Sequence, residues 1–428
     1  MRTESLSIDA LREAVARLPD DRLAPMRQQA LDQLGARGLP TLRHEDWKYT
    51  DLKPIVEISN RWLEKPSPQA GGGALDAAAA EICAAVDADW LVIANGGVDS
   101  DSLDAFDSAG ITVSLLSASD VVLESALPLT QLNTALLQDG LRIRIEANAE
   151  PQRPIGLLLL DDSTSAAGVS QARIEIEVAA NARGKFIEYH ASRGEAPHYA
   201  NCVINLSLAA GATADYVRVQ HRERTHSQTE RLDVRLDRDS TFNHCGFDLG
   251  GALVRNDLAV SIDGAGASAA FDGLYLGGRG QHIDNHTRVD HRVGPAESRQ
   301  EYRGIIARDS RCIWNGKAVV HAGADGTDAA QANHNLLLSA DAEVDAKPEL
   351  EIYADDVKCS HGTTVGQLDE ASLYYLRTRG LDKRFAQQVL TRAFAQAIVA
   401  RAPVAAVEDS LHELIDDRLG NLLGGLDQ

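Results

Sequence analysis

The stretch that determines the fold runs from residue 178 to residue 220 and reads VAANARGKFIEYHASRGEAPHYANCVINLSLAAGATADYVRVQ. It contains one phrase twice, VAANA at 178 and LAAGA at 208: an aliphatic residue, two variable positions, Asn or Gly, and a small residue. Each phrase leads into a run with the alternation of a strand, GKFIEYH and ADYVRVQ. The aliphatic residue can end a strand with its side chain inward, while Asn or Gly supplies the turn geometry.

The same phrase recurs further along the chain. It returns as LDRDS at 236, IDGAG at 262, IARDS at 306 and LSADA at 338, so that the six copies are 26 to 44 residues apart. Such intervals are typical of stacked supersecondary units. A single unit leaves its inner face in water, whereas stacked units bury those faces as one core. The pattern favours a parallel β-solenoid; an antiparallel β-sandwich is the alternative, because Gly and Asp turns suit both folds.

Helical patterns flank this repeat on both sides. Near the N-terminus, apolar residues recur at helical spacing from Met26 to Leu34, and near the C-terminus Asp382 can cap a helix with a broad apolar face. The loop-like KPSPQAGGG at 65–73 resembles a linker. We therefore predict a helical and mixed domain over 1–150, a β core over 151–345 and a helical domain over 346–428.

Composition restricts the classes of partner. The 428 residues carry a formal net charge of -21, which repels phosphate backbones and anionic lipid surfaces, so we expect neither nucleic acid nor membrane as a partner. The N-terminus lacks the apolar core of a secretory signal, which predicts a cytoplasmic protein. The five cysteines are scattered and contain no CxxC pair, which argues against a disulfide framework and a self-contained metal site.

The segment DDVKCSHGTTVG at 355–366 contains the first candidate site. In a strand, Cys359 and His361 project to the same face, so they can bind the same metal ion. Two donors are, however, only half of a tetrahedral shell. A nucleophilic role needs a lowered thiol pKa, whereas Asp355 and Asp356 act in the opposite direction and Lys358 faces away. On this pattern alone, simple packing is favoured over metal ligation, and a cysteine hydrolase is disfavoured.

A second candidate is QHIDNHTRVDHR at 281–292. Alternation places five polar side chains on one face: His282, Asp284, His286, Arg288 and Asp290. Two histidines beside an aspartate can bind a divalent metal, but a solvated strand face with cross-strand charge pairs is the favoured interpretation. No GxxxxGK[ST] occurs, so any dependence on ATP belongs to a partner.

More specific is the segment KPELEIYADDVKCSHGTTVGQLDEASLYYLRTRGLDKRFAQQVLTRAFAQAI at 347–398. It closely resembles the C-terminal signature of the SufB/SufD family, the scaffold proteins of the SUF system for iron–sulfur cluster assembly. The resemblance continues upstream and covers roughly residues 150–400. In addition, GLPTLRHEDWKYTDLKPI at 38–55 is similar to a motif of the SufD-type members, and RAFAQAI stands where SufB-type members usually have Gly-Phe.

This resemblance implies a mainly β fold, a right-handed parallel β-helix core flanked by N-terminal and C-terminal helical domains. It implies pairing with SufB through the edge of the β-helix, where a transient iron–sulfur cluster or iron would form, and docking of the SufC ATPase on the C-terminal helices. His361 and Cys359 match SufD-side interface residues, which reverses the preference for packing at this pair. The residues expected to dock SufC are Leu373, Tyr374, Tyr375, Leu376, Phe385 and Phe394.

We therefore expect a scaffold subunit that is not an enzyme, holds no cofactor alone and contributes His361 and Cys359 to a composite site. Two alternatives are a purely architectural subunit without metal ligation and a carbohydrate-active β-helix enzyme. Pairing of the isolated chain with a second copy stays open. Four cysteines match no cluster ligand of the family and are expected to be packing residues: Cys83, Cys202, Cys245 and Cys312.

Overall fold

The computed structural model of the chain describes residues 5–65, 73–123 and 126–424. Residues 66–72, which make up most of the predicted linker, lie outside the described residues. The described chain is mainly β and contains a parallel β-solenoid of about eight coils with helices before and after it. The predicted solenoid is thereby confirmed, and the sandwich is excluded.

The strands, numbered β1 to β19 along the chain, form two sheets. Sheet A contains β1 (Asp89–Ala94), β2 (Gly97–Val98), β5 (Ile155–Asp162), β7 (Arg183–Arg193), β9 (Thr213–His221), β11 (Thr241–Asp248), β13 (Ser268–Gly277), β15 (Glu297–Ile306), β17 (Asp328–Leu337) and β19 (Lys358–Gly366). Sheet B contains β3 (Ile111–Leu115), β4 (Leu141–Ile145), β6 (Gly168–Val178), β8 (His198–Leu208), β10 (His226–Leu236), β12 (Leu253–Ile262), β14 (His282–His291), β16 (Arg311–Val320) and β18 (Glu343–Ile352).

Each coil contributes one strand to each sheet, and strands of successive coils pair in parallel. The antiparallel pairs β1–β2 and β3–β4 stand at the N-terminal end of the stack. The opposite end is formed by β18 and β19, each of which pairs with one strand in the described part of the chain. This C-terminal end of the solenoid is therefore an open edge in both sheets.

In its first four copies the repeated phrase forms the turn that leads from sheet B to sheet A, whereas the copies at 306 and 338 lead from sheet A to sheet B. In its first three copies the aliphatic residue ends a strand, and the residue three positions later has a positive φ: Asn181 (58°), Gly211 (70°) and Asp239 (56°). The turns stack closely, because a Cβ added to Gly211 would lie 2.5 Å from Asn181 Oδ1. Gly, Asn and Asp tolerate this left-handed conformation better than other residues, which explains why the phrase recurs.

Side chains from alternate strand positions fill the lumen between the two sheets. Its apolar part includes Leu157, Ile174, Ile204, Leu232 and Val260, all buried. The outer face of sheet B packs against α1 (Ile8–Val15), α2 (Ala24–Arg37), α3 (Lys53–Glu64) and α6 (Pro128–Leu136). The outer face of sheet A packs against α4 (Gly73–Ala85), α8 (Lys383–Val399) and α9 (Glu408–Gly424). Helices thus cover both faces, and the open edge remains.

The remaining helices are α5 (Ser100–Ala105) and α7 (Glu370–Thr378). Asp382 caps α8 as predicted, because its side chain accepts a hydrogen bond from the backbone N–H of Phe385. None of the helices within residues 5–65, 73–123 and 126–424 combines the length and apolar character that crossing a bilayer requires.

We predict that Gly211→Ala destabilises the protein more than Gly323→Ala does. Both glycines have positive φ. A Cβ at Gly323 (φ 86°) would have no atom within 4 Å, whereas a Cβ at Gly211 would lie 2.5 Å from Asn181 Oδ1 in the preceding turn. The free energy of unfolding should fall by about 1 kcal/mol for Gly323→Ala and by up to about 3 kcal/mol for Gly211→Ala. Denaturant unfolding followed by circular dichroism measures both; equal losses would contradict the stacked-turn explanation.

Candidate functional site

Cys359 and His361 lie side by side on β19, the edge strand of sheet A. In the register with β17, Cys359 stands opposite Ala329 and His361 opposite Gln331. Positions two apart on a strand point to the same face and are separated by about 6.6–6.8 Å along the strand. The sulfur and the imidazole can therefore both reach one metal ion or one cluster.

Both candidate donors are accessible from outside. Cys359 is partly buried and His361 is exposed. Within the part of the chain that the structure describes, β19 pairs with β17 alone, so the backbone groups along its other side face solvent. The pair thus lies at the open end of the solenoid, where a second chain can reach it.

The environment of Cys359 keeps its sulfur protonated near neutral pH. Partial burial raises the pKa of the Cys359 thiol, and the charge of Asp328 adds to this effect. A nucleophilic cysteine needs the opposite, a pKa lowered by nearby positive charge. A metal ion, in contrast, displaces the thiol proton when it binds. The local electrostatics therefore argue against nucleophilic catalysis at Cys359, and a metal bound there has to displace the thiol proton.

A third residue beside the pair is Gln331, which the sequence reasoning missed. It is buried next to His361, and neither of its amide atoms has a hydrogen-bond partner. Unsatisfied buried amides are unfavourable, so Gln331 is suited to a partner that arrives from the open edge. Gln331 precedes His361 by 30 residues, which is one coil of the solenoid, and this spacing could have indicated from the sequence that the two residues are neighbours.

The six residues predicted to dock the ATPase lie on α7 and α8 and differ in exposure. Tyr374 and Phe385 expose 71% and 52% of their surface, and Tyr375 is also exposed. Leu373 is buried, and Phe394 packs against the solenoid, where its ring lies 4.9 Å from the Arg303 guanidinium. Leu376 is partly buried.

The exposed members belong to a set of seven exposed large apolar side chains within residues 352–389. It consists of Ile352, Tyr353, Val365, Tyr374, Tyr375, Phe385 and Val389, which lie on the last two strands or close behind them and on α7 and α8. We call these seven residues the apolar end surface. Four of the seven lie on the two consecutive helices α7 and α8, and exposed large apolar side chains are typical of surfaces that contact another protein.

The second candidate cluster, on β14, is not a solvated face. Asp284 is fully buried and accepts hydrogen bonds from Arg255 and from the hydroxyl of Thr50, which belongs to the N-terminal motif. Burial by itself raises the pKa of Asp284, but the charges of Arg255 and His286 and the hydrogen bonds from His286 and Thr50 together hold the pKa well below its usual range. Trp47 covers the same guanidinium at 4.4 Å. The motif at 44–50 thus clamps the N-terminal region onto sheet B, and the cluster has a structural role.

Comparison with known proteins agrees with this architecture. The family model for the SufBD core domain of the SUF system for FeS cluster assembly matches residues 161–394. The iron–sulfur cluster assembly protein SufD of Escherichia coli is 31% identical over 407 residues, which cover 94% of this chain and 93% of that protein. A SufBD-family iron–sulfur cluster assembly protein of Synechocystis is 29% identical over 436 residues, with 96% and 95% coverage.

The chain therefore belongs to the SufBD family of iron–sulfur cluster assembly proteins. Within that family, the similarity along nearly the whole chain identifies it as a SufD-type protein, as the N-terminal motif predicts. SufD of Bacillus subtilis, 32% identical over 143 residues that cover 33% of each chain, is a further relative.

Native-state alkylation should modify Cys359 before the other cysteines. Cys359 is partly exposed, Cys83 is half-buried with a pKa raised by burial to about 11, and the remaining three are buried. Because the thiolate reacts, the rate at Cys359 should rise about tenfold per pH unit between pH 7 and pH 8. Peptide mapping by mass spectrometry measures the order; labelling of Cys202 as fast as Cys359 would contradict the described accessibility.

Proposed function

We propose that this protein is a non-catalytic cytoplasmic subunit that pairs with a SufB-type scaffold and assembles an iron–sulfur cluster, its cargo, at the seam between the two chains. His361 and Cys359 supply this chain's donors. The proposal rests on one observation: two metal-binding side chains lie together on an exposed edge strand.

Two donors cannot complete the coordination of an iron or an iron–sulfur cluster, which requires four protein or sulfide ligands per iron. The pair therefore needs a second source of ligands. The open edge offers a place for it, since an edge strand can pair with a strand of another chain. A partner that extends the sheet beyond β19 would bring its own side chains next to Cys359 and His361, and would cover the unsatisfied amide of Gln331.

A partner with the same solenoid fold suits this edge well. Both sheets end at the same end of the solenoid, at β18 and β19, so a second solenoid can continue both of them at once. The family resemblance makes SufB the expected partner. Association of the isolated chain with a second copy uses the same edge and would be displaced by SufB.

The apolar end surface supports a second contact, with the SufC ATPase. Tyr374, Tyr375 and Phe385 extend from α7 and α8 close to the chain segment that carries the metal donors. Exposed aromatic side chains of this kind are frequent among the residues that dominate binding energy at interfaces. Movement of a docked ATPase would act directly on the helices that follow β19.

Two alternatives differ in what they require. A carbohydrate-active solenoid enzyme needs an open groove on a sheet, whereas helices cover much of the outer face of both sheets here. A purely architectural subunit keeps the contacts of the open edge but makes no use of Cys359 and His361. The His361→Ala variant distinguishes the architectural subunit from a subunit that takes part in cluster assembly.

His361→Ala should lower the yield of iron–sulfur cluster in the assembled complex by roughly tenfold or more, because one metal donor is lost. Complex formation should be unchanged, since His361 is exposed and the backbone of β19 is retained. Iron and sulfide analysis of the purified complex gives the yield. His321→Ala is the matched control, because His321 is partly exposed, directly follows β16 and pairs with Asp290. Full cluster yield from His361→Ala would favour the architectural alternative.

Phe385→Asp should weaken binding of the ATPase roughly tenfold or more, because a charge replaces an exposed aromatic contact. Val122→Asp is the control: Val122 is 72% exposed and lies outside the apolar end surface, so its variant should bind as the unchanged protein does. Titration calorimetry with the purified ATPase measures both. Equal affinities for the two variants would place the docking site elsewhere.

A further inference from the structure

A cluster of metal-binding side chains lies inside the lumen, well away from the open edge. Glu188 and His190 extend inward from β7, Cys202 from β8 and Glu230 from β10. All four side chains are buried. From the sequence, Cys202 was expected to be a packing residue. Its neighbours lie on other strands, Glu188 on β7 and Glu230 on β10, and only the fold brings them beside it.

The distances between these donors are those of a compact site. His190 Nε2 lies 2.6 Å from Glu188 Oε1 and 3.4 Å from Glu230 Oε2, and Cys202 Sγ lies 3.8 Å from Glu188 Oε1. Donor atoms of Glu188, His190 and Cys202 all lie within 4.8 Å of one another. Around a tetrahedral ion with bonds of about 2.0–2.3 Å, neighbouring donors are about 3.3–3.8 Å apart. A small adjustment of the Glu188–His190 pair therefore accommodates an ion.

The charges of the lumen also call for a cation at this point. Four buried carboxylates, those of Asp161, Glu188, Glu230 and Asp248, contact the guanidinium groups of Arg218 and Arg222 or the ring of His190. The four carboxylates therefore face two guanidinium groups and two histidine rings, because His198 Nε2 also lies 3.4 Å from Asp161 Oδ1, and excess negative charge in a dry interior is unfavourable. His190 stands between Glu188 and Glu230, where the additional positive charge is needed. A proton on His190 can supply it, and so can a metal ion.

The surrounding groups hold the donors in place. The hydroxyl of Tyr216 donates to Glu188 Oε2 at 2.7 Å, and the other oxygen, Oε1, is the one directed at His190 and Cys202. Arg222 Nη2 lies 3.4 Å from His190 Nδ1, the nitrogen that keeps its proton when Nε2 binds a metal. Gln228, Asp161 and the carbonyl of Ala191 fix the Arg222 guanidinium by hydrogen bonds, so the His190 ring has to turn away from Arg222 and take its proton on Nδ1 when Nε2 binds the ion.

We propose that Glu188, His190, Cys202 and Glu230 form an internal site for one divalent transition-metal ion. Sulfur and imidazole donors select zinc or ferrous iron over magnesium or calcium. The four donors close the coordination shell, so the ion has no free position for a substrate and serves to stabilise the fold. It would join β7 of sheet A to β8 and β10 of sheet B across the lumen. This site is separate from Cys359 and His361 and departs from the expectation that the chain holds no metal alone.

Cobalt(II) tests this proposal, because it replaces zinc and reports on sulfur ligands by a thiolate-to-cobalt charge-transfer band. The full chain is produced in cobalt-supplemented medium, since the buried site fills during folding, and is then dialysed against a chelator. About one cobalt ion per chain should remain, with the charge-transfer band. If the folded protein without substitutions retains no cobalt, or retains it without that band, the proposal is wrong. A proton on His190 would then supply the missing charge.

Single substitutions test which residues bind the ion. Cys202→Ser should remove the charge-transfer band, and Glu230→Gln should lower the retained cobalt. Cys312→Ser is the matched control, because Cys312 is another fully buried cysteine, and its band should persist. Cys359→Ser should also keep the band, which separates this site from the proposed interface. A band that is lost in Cys359→Ser and kept in Cys202→Ser would contradict an internal site, whether or not the interface proposal holds.

Discussion

A strand in this solenoid satisfies its backbone hydrogen bonds only by pairing with the coils before and after it. At the N-terminal end the antiparallel strands β2 and β3 finish the two sheets. At the other end β18 and β19 have no following coil in the described chain. The backbone of β19 is therefore incomplete at the same place where Cys359 and His361 form an incomplete set of metal ligands. One partner can complete both, which is why the edge strand is central to the proposed function.

Elsewhere in the molecule, much of the surface of the two sheets is covered, which leaves the edge strands as the most accessible part of the solenoid. Helices pack on the outer faces of both sheets, and side chains fill the lumen. The N-terminal motif is part of this closure, since Trp47 and Thr50 engage Arg255 and Asp284 on sheet B. Val365 of the apolar end surface lies on β19 itself, and α7 begins four residues after that strand. A scaffold that joins two other proteins needs such neighbouring contact sites on an otherwise stable body.

Local patterns predicted the features that are local. The turn phrase indicated the solenoid because a positive φ at Asn181 or Gly211 restricts the residue type at that position. Alternation placed Cys359 and His361 on one face. Features that depend on contacts between elements were not predicted: Asp284 is buried by a segment more than 200 residues earlier, Cys202 meets Glu188 across the lumen between the two sheets, and it stands opposite Glu230 of the next coil. Helical spacing likewise could not tell which side of α7 and α8 meets the solenoid, so Leu373 and Phe394 were grouped with the exposed Tyr374.

The most direct test of the edge-strand account is hydrogen–deuterium exchange of the amides in residues 358–366, in the free chain and in the complex with its scaffold partner. In the free chain, the amides of β19 that point away from β17 should exchange rapidly. The account predicts that these amides become protected in the complex, because a partner strand pairs with them. Unchanged exchange along β19 in a stable complex would contradict it, since the partner would then bind elsewhere and the donors of Cys359 and His361 would stay incomplete.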